Sequence, residues 1–356
     1  MPRVIGIDPG TVSIDICGLD DGHVFLDRSL PTAGILTRPS ELVDVLEDAH
    51  REAPVDLVAG PSGYGLPLTK ARDLTQSDLR LAQLTAEGEQ SGGIGGLASL
   101  MRLLARSAIP VVFTPGVVHL LSVPAHRKVN RIDMGTADKV CAAALAVHDQ
   151  ARRRGCAAVD VSFILLELGG AFTAAIAVEG GCIVDGVGGT SGPLGLRSGG
   201  ALDGEVAFLA GSVPKSLLFS GGASTIAGEP EAAPEDLAAP TTARARLAWT
   251  AYVESAVKAV AALTVSVPRP REVILSGRLA RVAGVHDQLA RRIEGLLSPV
   301  SVHVLRGFGT AAKQAAQGAA LLADGLAGGR SAPLVDAMRI REARGTVLDH
   351  LYVISP

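Results

Sequence analysis

The chain has 356 residues, enough for two domains with proper cores. An apolar share of 47% excludes disorder as the default, and a formal net charge of −3 argues against a dedicated nucleic-acid binder, which needs a basic excess. The four cysteines, Cys17, Cys141, Cys156 and Cys182, form no CxxC pair and suit neither zinc nor a disulfide framework.

The opening residues enter a strand without a signal-peptide pattern, and no uncharged stretch approaches the ~20 apolar residues that span a bilayer. A cytoplasmic protein without membrane contact is expected. Residues 3–8 read as a strand ending at an acid. Strands over 12–19 and 23–30 follow around the turn Asp20-Asp21-Gly22, a hairpin signal. Residues 39–52 read as a helix and 55–59 as a short buried strand. A loop rich in glycine and proline, Gly60–Pro67, comes next. Apolar periodicity predicts a helix over 95–107, then a strand over 110–114. Gly135-Thr136 opens a helix over 136–150 with Asp138 in its first turn.

The pattern then restarts, with strands over 162–168, 171–178 and 182–187. Asp8, Gly10 and Gly22 recur at one common offset as Glu167, Gly169 and Gly181. An acid-x-Gly strand end followed by an acid-Gly hairpin thus occurs twice in register, which suggests a duplicated fold. Residues 228–240, rich in Pro, Ala and acids, read as the least ordered stretch. A long helix (242–266), a strand (272–276), a helix (284–297), a strand (300–305) and a helix (309–327) complete the chain.

Three joints carry candidate chemistry. In Asp8-Pro9-Gly10-Thr11, glycine lets backbone amides approach a phosphate closely, the threonine hydroxyl can donate to it, and Asp8 could hold Mg²⁺ through water. Glu167-Leu168-Gly169-Gly170 would face the first loop across a cleft, its acid sharing the metal's waters. The apolar strand ending in Ser276-Gly277-Arg278 stops at small residues before a helix, so a flat ring could slide past backbone there.

In this order the three joints resemble the phosphate-1, phosphate-2 and adenosine segments of the superfamily of acetate kinase, sugar kinases, actin and heat-shock chaperone ATPases. The resemblance implies an α/β, duplicated ribonuclease-H-like (actin-like ATPase) fold with two domains around a nucleotide cleft. It places an N-terminal domain at 1–133 and a nucleotide-binding domain at 134–356, with the helices at about 309–328 packing back at the hinge. It also implies ATP and Mg²⁺ as cofactors, with Gly10, Thr11, Gly169, Gly170, Ser276, Gly277 and Arg278 at the nucleotide and Asp8 and Glu167 at the metal. The run from Leu168-Gly169-Gly170 through Gly192-Pro193 to Arg197-Ser198-Gly199 is similar to the acetate/butyrate kinase branch and makes Arg197 the candidate transition-state arginine. The whole chain also resembles a family labelled predicted butyrate kinases. Met134 stands where acetate kinases carry a histidine, and Phe113-Thr114-Pro115 lacks their acid.

On the acceptor side, Ser62 and Tyr64 in the Gly60–Pro67 loop and Lys128 and Arg131 before the hinge helix are candidate substrate contacts. Asp133 is the candidate base for a hydroxyl acceptor. His119 and His126 read as structural. The expected function is ATP- and Mg²⁺-dependent phosphoryl transfer to a small acceptor, a short-chain carboxylate or a hydroxylated metabolite. The alternatives are a nucleotide-driven ATPase switch and a non-catalytic nucleotide-binding relative. A homodimer is compatible with the sequence.

Overall fold

The run Arg3–Pro9 is buried at every position from Val4 onward, as only a strand covered on both faces can be. The computed structural model describes residues 1–84 and 96–354, and in it this strand, β1, lies in the middle of the first sheet. β2 (Ser13–Asp20) and β3 (His23–Pro31) follow as antiparallel neighbours, while β4 (Leu57–Pro61) and β6 (Val111–Thr114) run parallel on the other side. The short β5 (Thr69–Lys70) adds to β6, giving the order β3-β2-β1-β4-β6-β5.

The second sheet repeats the plan. β7 (Ser162–Leu168), β8 (Thr173–Glu179) and β9 (Cys182–Val187) are antiparallel, and β10 (Glu272–Ser276) and β11 (Ser301–Val304) run parallel to β7, in the order β11-β10-β7-β8-β9. The duplication read from the acid and glycine spacing is therefore a duplication of topology.

Two helices join the halves. The first crossing helix, Ala137–Arg154, is buried along most of its length. The second, Gln314–Leu326, is buried from Gln314 to Gly325. Its alanines lie against β1 so closely that a Cβ on Gly6 would collide with the backbone of Ala316 and Ala320. A Cβ on Gly318 would likewise collide with the Cys141 carbonyl on the first crossing helix. One core runs through both sheets here, from Val4 and Cys17 through Val140, Ala144 and Ala319 to Phe163 and Ile176. The outer face of each sheet has a core of its own. One lies under Ser40–Glu52 and Leu97–Ala105, the other under Ala243–Leu263 and Val285–Leu297.

Three stretches differ from expectation. The last long helix begins at Gln314, not near 309, because the Asp27 carboxylate accepts hydrogen bonds from the backbone of Thr310, Ala311 and Ala312 and holds them as a loop. The 228–240 stretch carries a helical turn, Pro234–Ala238, pinned by buried Leu237. The helix expected over 95–107 runs Leu97–Ala105, and residue 95 lies outside the described residues. Helices as short as Gln76–Gln83 and Gly204–Ala210 span too few turns for periodicity to separate them from loops.

Gly318→Ala places a methyl group where the Cys141 carbonyl stands. The expected cost is on the order of 1–3 kcal/mol of overpacking, seen as a lower urea midpoint. A midpoint equal to wild type would contradict the close crossing.

Candidate functional site

Paired with Asp15 across the β1–β2 ladder, Asp8 stands near the end of β1. Its carboxyl is pushed up to about 7, first by burial and then by the charge of Asp138, with Lys313 and Lys139 opposing. Among the described residues no donor is hydrogen-bonded to that carboxylate. Asp138 and Lys139 open the first crossing helix. The Thr136 hydroxyl donates to Asp138, and Lys139 Nζ lies 2.5 Å from Asp138 Oδ2 and 3.4 Å from Glu167 Oε1. Ser276 Oγ donates to Glu167 Oε2 at 3.2 Å. Burial opposes ionisation of both Asp138 and Lys139. Their mutual attraction wins, holding the Asp138 carboxyl below and the Lys139 ammonium above their ordinary ranges.

Lys313, just ahead of the second crossing helix, donates to Ser13 Oγ at 2.6 Å and pairs with buried Asp15 at 3.2 Å. Its ammonium lies 3.4 Å from where a Cβ on Gly10 would be. Four carboxylates, Asp8, Asp15, Asp138 and Glu167, thus share two ammonium groups. Asp8 is the acid without a direct partner.

The glycines of the two loops differ in what surrounds them. A Cβ on Gly169 would meet the Phe172 carbonyl at 2.8 Å, and one on Gly277, whose φ is +85°, would meet the Leu168 carbonyl at 2.5 Å. Those two glycines are required by close backbone packing. A Cβ on Gly170 would meet nothing within 4 Å, so that position opens onto free space. Thr11 and Arg278 are exposed at the ends of their loops.

Arg197 neighbours the second loop through its backbone, whose N–H donates to the Ala171 carbonyl at 3.0 Å. Its half-exposed guanidinium lies 3.7 Å from Glu231. Asp133 is buried and fully engaged. Oδ2 accepts from the Thr190 N–H and hydroxyl, both at 2.8 Å, and Oδ1 from the Gly135 N–H at 3.2 Å. Burial first, then the Asp133 charge, pushes the Tyr64 phenol up to about 12. Lys215 crosses over from the second half. Its ammonium sits 4.6 Å from the Tyr64 ring centre and donates to the Gln83 carbonyl at 2.9 Å.

The Gly60–Pro67 loop is tied to the head of the first crossing helix, where the Gly63 carbonyl accepts from Ala137 N–H. Ser62 braces that loop, donating to the Thr114 carbonyl at 2.8 Å and accepting from Leu66 N–H at 2.9 Å. Lys128 is buried and donates to the Leu120 carbonyl at 2.9 Å. Arg131 is exposed in a loop that pairs with the C-terminal segment through Asn130 and His350. The structure therefore gathers Asp8, Glu167 and Ser276 around Lys139, and binds Asp133 to Thr190 with Tyr64 in the Asp133 field. It sets Lys128 and Arg131 beside the C-terminal segment.

Lys139, Lys313 and Thr190 were not singled out by sequence reasoning. An adjacent acid and lysine at a helix start was the available signal for Lys139. Lys313 was hidden inside a helix drawn too long.

Twice the same sheet, each half sending a helix across to the other, with acid-glycine loops at the junction, defines a duplicated actin-like fold of the acetate- and sugar-kinase type. An acetate kinase of Porphyromonas gingivalis superposes with a TM-score of 0.60 at 15% identity, over 90% of this chain and 98% of that one. A propionate kinase of Francisella tularensis does so at 0.62 and 13%, over 90% and 98%. An acetate kinase of Entamoeba histolytica reaches 0.59 at 10%, over 83% and 87%. The sequence matches the family described as protein of unknown function DUF1464 over residues 6–353, and the chain belongs to that family. No protein of curated function matches it significantly.

The raised Asp8 carboxyl has a consequence for stability. Unfolded, Asp8 gives up its proton near the ordinary 3.8; folded, it holds the proton until about 7. Between those values the native state binds more protons, so stability falls as pH rises and the full cost stands above about pH 7. Asp8→Asn is expected to melt several degrees above wild type near pH 8 and to converge with it near pH 4. A difference independent of pH would contradict the buried, unpartnered carboxylate.

Proposed function

We propose that the protein transfers the terminal phosphoryl group of ATP to a small acceptor held in the cleft between the two sheets. The observation that carries this reading is Lys139. Its ammonium binds Glu167 of the second loop and lies in the field of Asp8 at the first, so both loops face one small space. A Cβ on Gly170 would meet nothing within 4 Å, which leaves room beside the second loop.

In this reading the adenosine lies along Ser276-Gly277-Arg278, and the phosphates lie between Gly10-Thr11 and Gly170. Among the described residues no three acid, histidine or cysteine side chains converge to hold a metal directly. Mg²⁺ needs few protein ligands when it arrives on phosphates and keeps its waters. The fit is therefore to Asp8, an acid without a direct partner among acids that outnumber their lysines, with Glu167 behind it. When bound, the ion would neutralise phosphate charge. The acceptor oxygen attacks the γ-phosphorus, the bond to the bridging oxygen breaks, and ADP leaves.

A short-chain carboxylate of the acetate or butyrate type needs no base, because it is ionised at neutral pH. A hydroxyl acceptor would pass its proton toward Asp133, which already accepts three hydrogen bonds. The carboxylate acceptor therefore asks less of the groups present. The superposition on acetate and propionate kinases supports phosphoryl transfer at the level of fold and leaves the acceptor to the groups present. A nucleotide-driven switch is the second reading. It draws on Phe208 and Leu209, which are 79% and 81% exposed on the helix Gly204–Ala210 and present an apolar face suited to a protein partner.

Calorimetry should show Mg-ADP and Mg-ATP binding. Gly170→Val, whose side chain has room in the free protein, should weaken both by about tenfold or more with an unchanged melting temperature. Absence of heat at millimolar nucleotide would remove the nucleotide reading. Stimulation of hydrolysis by a member of a short-acid and polyol panel distinguishes the kinase from the switch.

Arg197 is tested separately. If its guanidinium leaves Glu231 for the moving phosphoryl group, Arg197→Ala should cut kcat by roughly a hundredfold with little change in the KM for ATP. Full activity in a folded Arg197→Ala protein would confine Arg197 to its surface ion pair.

A further inference from the structure

We propose that Lys139 is a phosphate-binding residue of the cleft, donating from the hinge helix to the β- and γ-phosphoryl oxygens of the nucleotide. The assignment rests on the nucleotide reading and names the cation that serves it. Three observations lead to Lys139. It sits in the first turn of Ala137–Arg154, the positive end of a helix, where the peptide dipoles disfavour a cation. It is nonetheless almost fully enclosed, its side chain 13% exposed. A lysine there is tolerated only where negative groups converge, and here they come from the helix itself, from β7 and from β1.

The second observation is its unused capacity. An ammonium has three donors. Asp138 and Glu167 take two of them, and among the described residues no acceptor takes the third. Asp8, itself without a hydrogen-bonding partner, is the remaining acid in its field. A phosphoryl oxygen entering between Asp8 and Glu167 completes the ammonium's hydrogen bonds and leaves both existing pairs intact.

The third observation is how the other cations are placed. Lys313 is half exposed and committed to Ser13 and Asp15. Arg197 is half exposed beside Glu231, and Arg278 is exposed. Lys139, 13% exposed, is the cation that touches the second loop's acid while lying in the first loop's field. Because it belongs to a helix that packs on both halves, its grip on phosphate would also couple the nucleotide to the angle between the sheets.

The experiment is a ligand ladder. Dissociation constants for adenosine, AMP, Mg-ADP and Mg-ATP are measured by calorimetry on wild type and Lys139→Met, with melting temperatures on the same preparations. Losing a hydrogen bond to a charged group should weaken Mg-ADP and Mg-ATP by roughly tenfold to a hundredfold. Adenosine and AMP should stay within about twofold, below what one lost hydrogen bond costs.

Lys139→Met leaves two largely enclosed carboxylates without their ammonium and could fail to fold. The same ladder is therefore run on Asp138→Asn and on Asp138→Asn/Lys139→Met, which removes the pair without changing net charge. The difference between those two isolates Lys139. An equal loss across all four ligands, or no loss, overturns the phosphate assignment and leaves Lys139 a structural ion pair while the nucleotide reading stands. Failure of wild type to bind any of the four removes the nucleotide reading and this assignment with it.

Discussion

The close crossing of two helices at Gly318 and Cys141 is the constraint on which the rest of the molecule depends. Helix axes approach this closely only where one side contributes no Cβ. The second crossing helix can then lie flat on β1 at Gly6 and still touch the first helix on its other face. The result is one shared core in place of two that merely abut. Asp8 leaves the end of β1, Glu167 the end of β7, and Asp138 and Lys139 the head of the first crossing helix. These groups meet because the elements that carry them are packed into that core.

Such a core also explains how so much charge is held out of water. Asp15 and Asp138 would be costly alone in a low-dielectric interior. Each is paired within hydrogen-bonding distance, Asp15 with Lys313 and Ser13, Asp138 with Lys139 and Thr136. Asp8 is left over, and its raised carboxyl records the cost. A buried acid kept without a partner costs stability wherever it is ionised.

Much of the fold was legible because strand ends and turns have local chemistry. Asp8-x-Gly10 and Glu167-x-Gly169, each followed by an acid-glycine turn, revealed the duplication without any long-range information. Tyr64 and Asp133 were legible as polar members of loops beside the first crossing helix, although Thr190, which binds Asp133, was not. Lys128 and Arg131 looked like an anion site because three cations fall within five residues. The C-terminal segment packs on that loop, and Lys128 spends its donor on the Leu120 carbonyl. Lys313 was missed because apolar periodicity cannot register that Asp27, far away in sequence, holds residues 310–312 out of the helix.

The sequence by itself determined what short-range physics controls. It set where strands stop at acids, which glycines make turns, which helices carry small residues, and that the pattern occurs twice. Only the tertiary structure decided which charges neutralise one another and which are left over. Gly169, Gly170 and Gly277 look alike in the chain. The first and last are held by neighbouring carbonyls, and Gly170 faces open space. Lys139 and Lys313 look like ordinary surface lysines, and they become the counter-charges of Glu167 and Asp15. The reason is that electrostatic partners and free volume depend on distances across elements far apart in the chain, and local spacing carries no record of them.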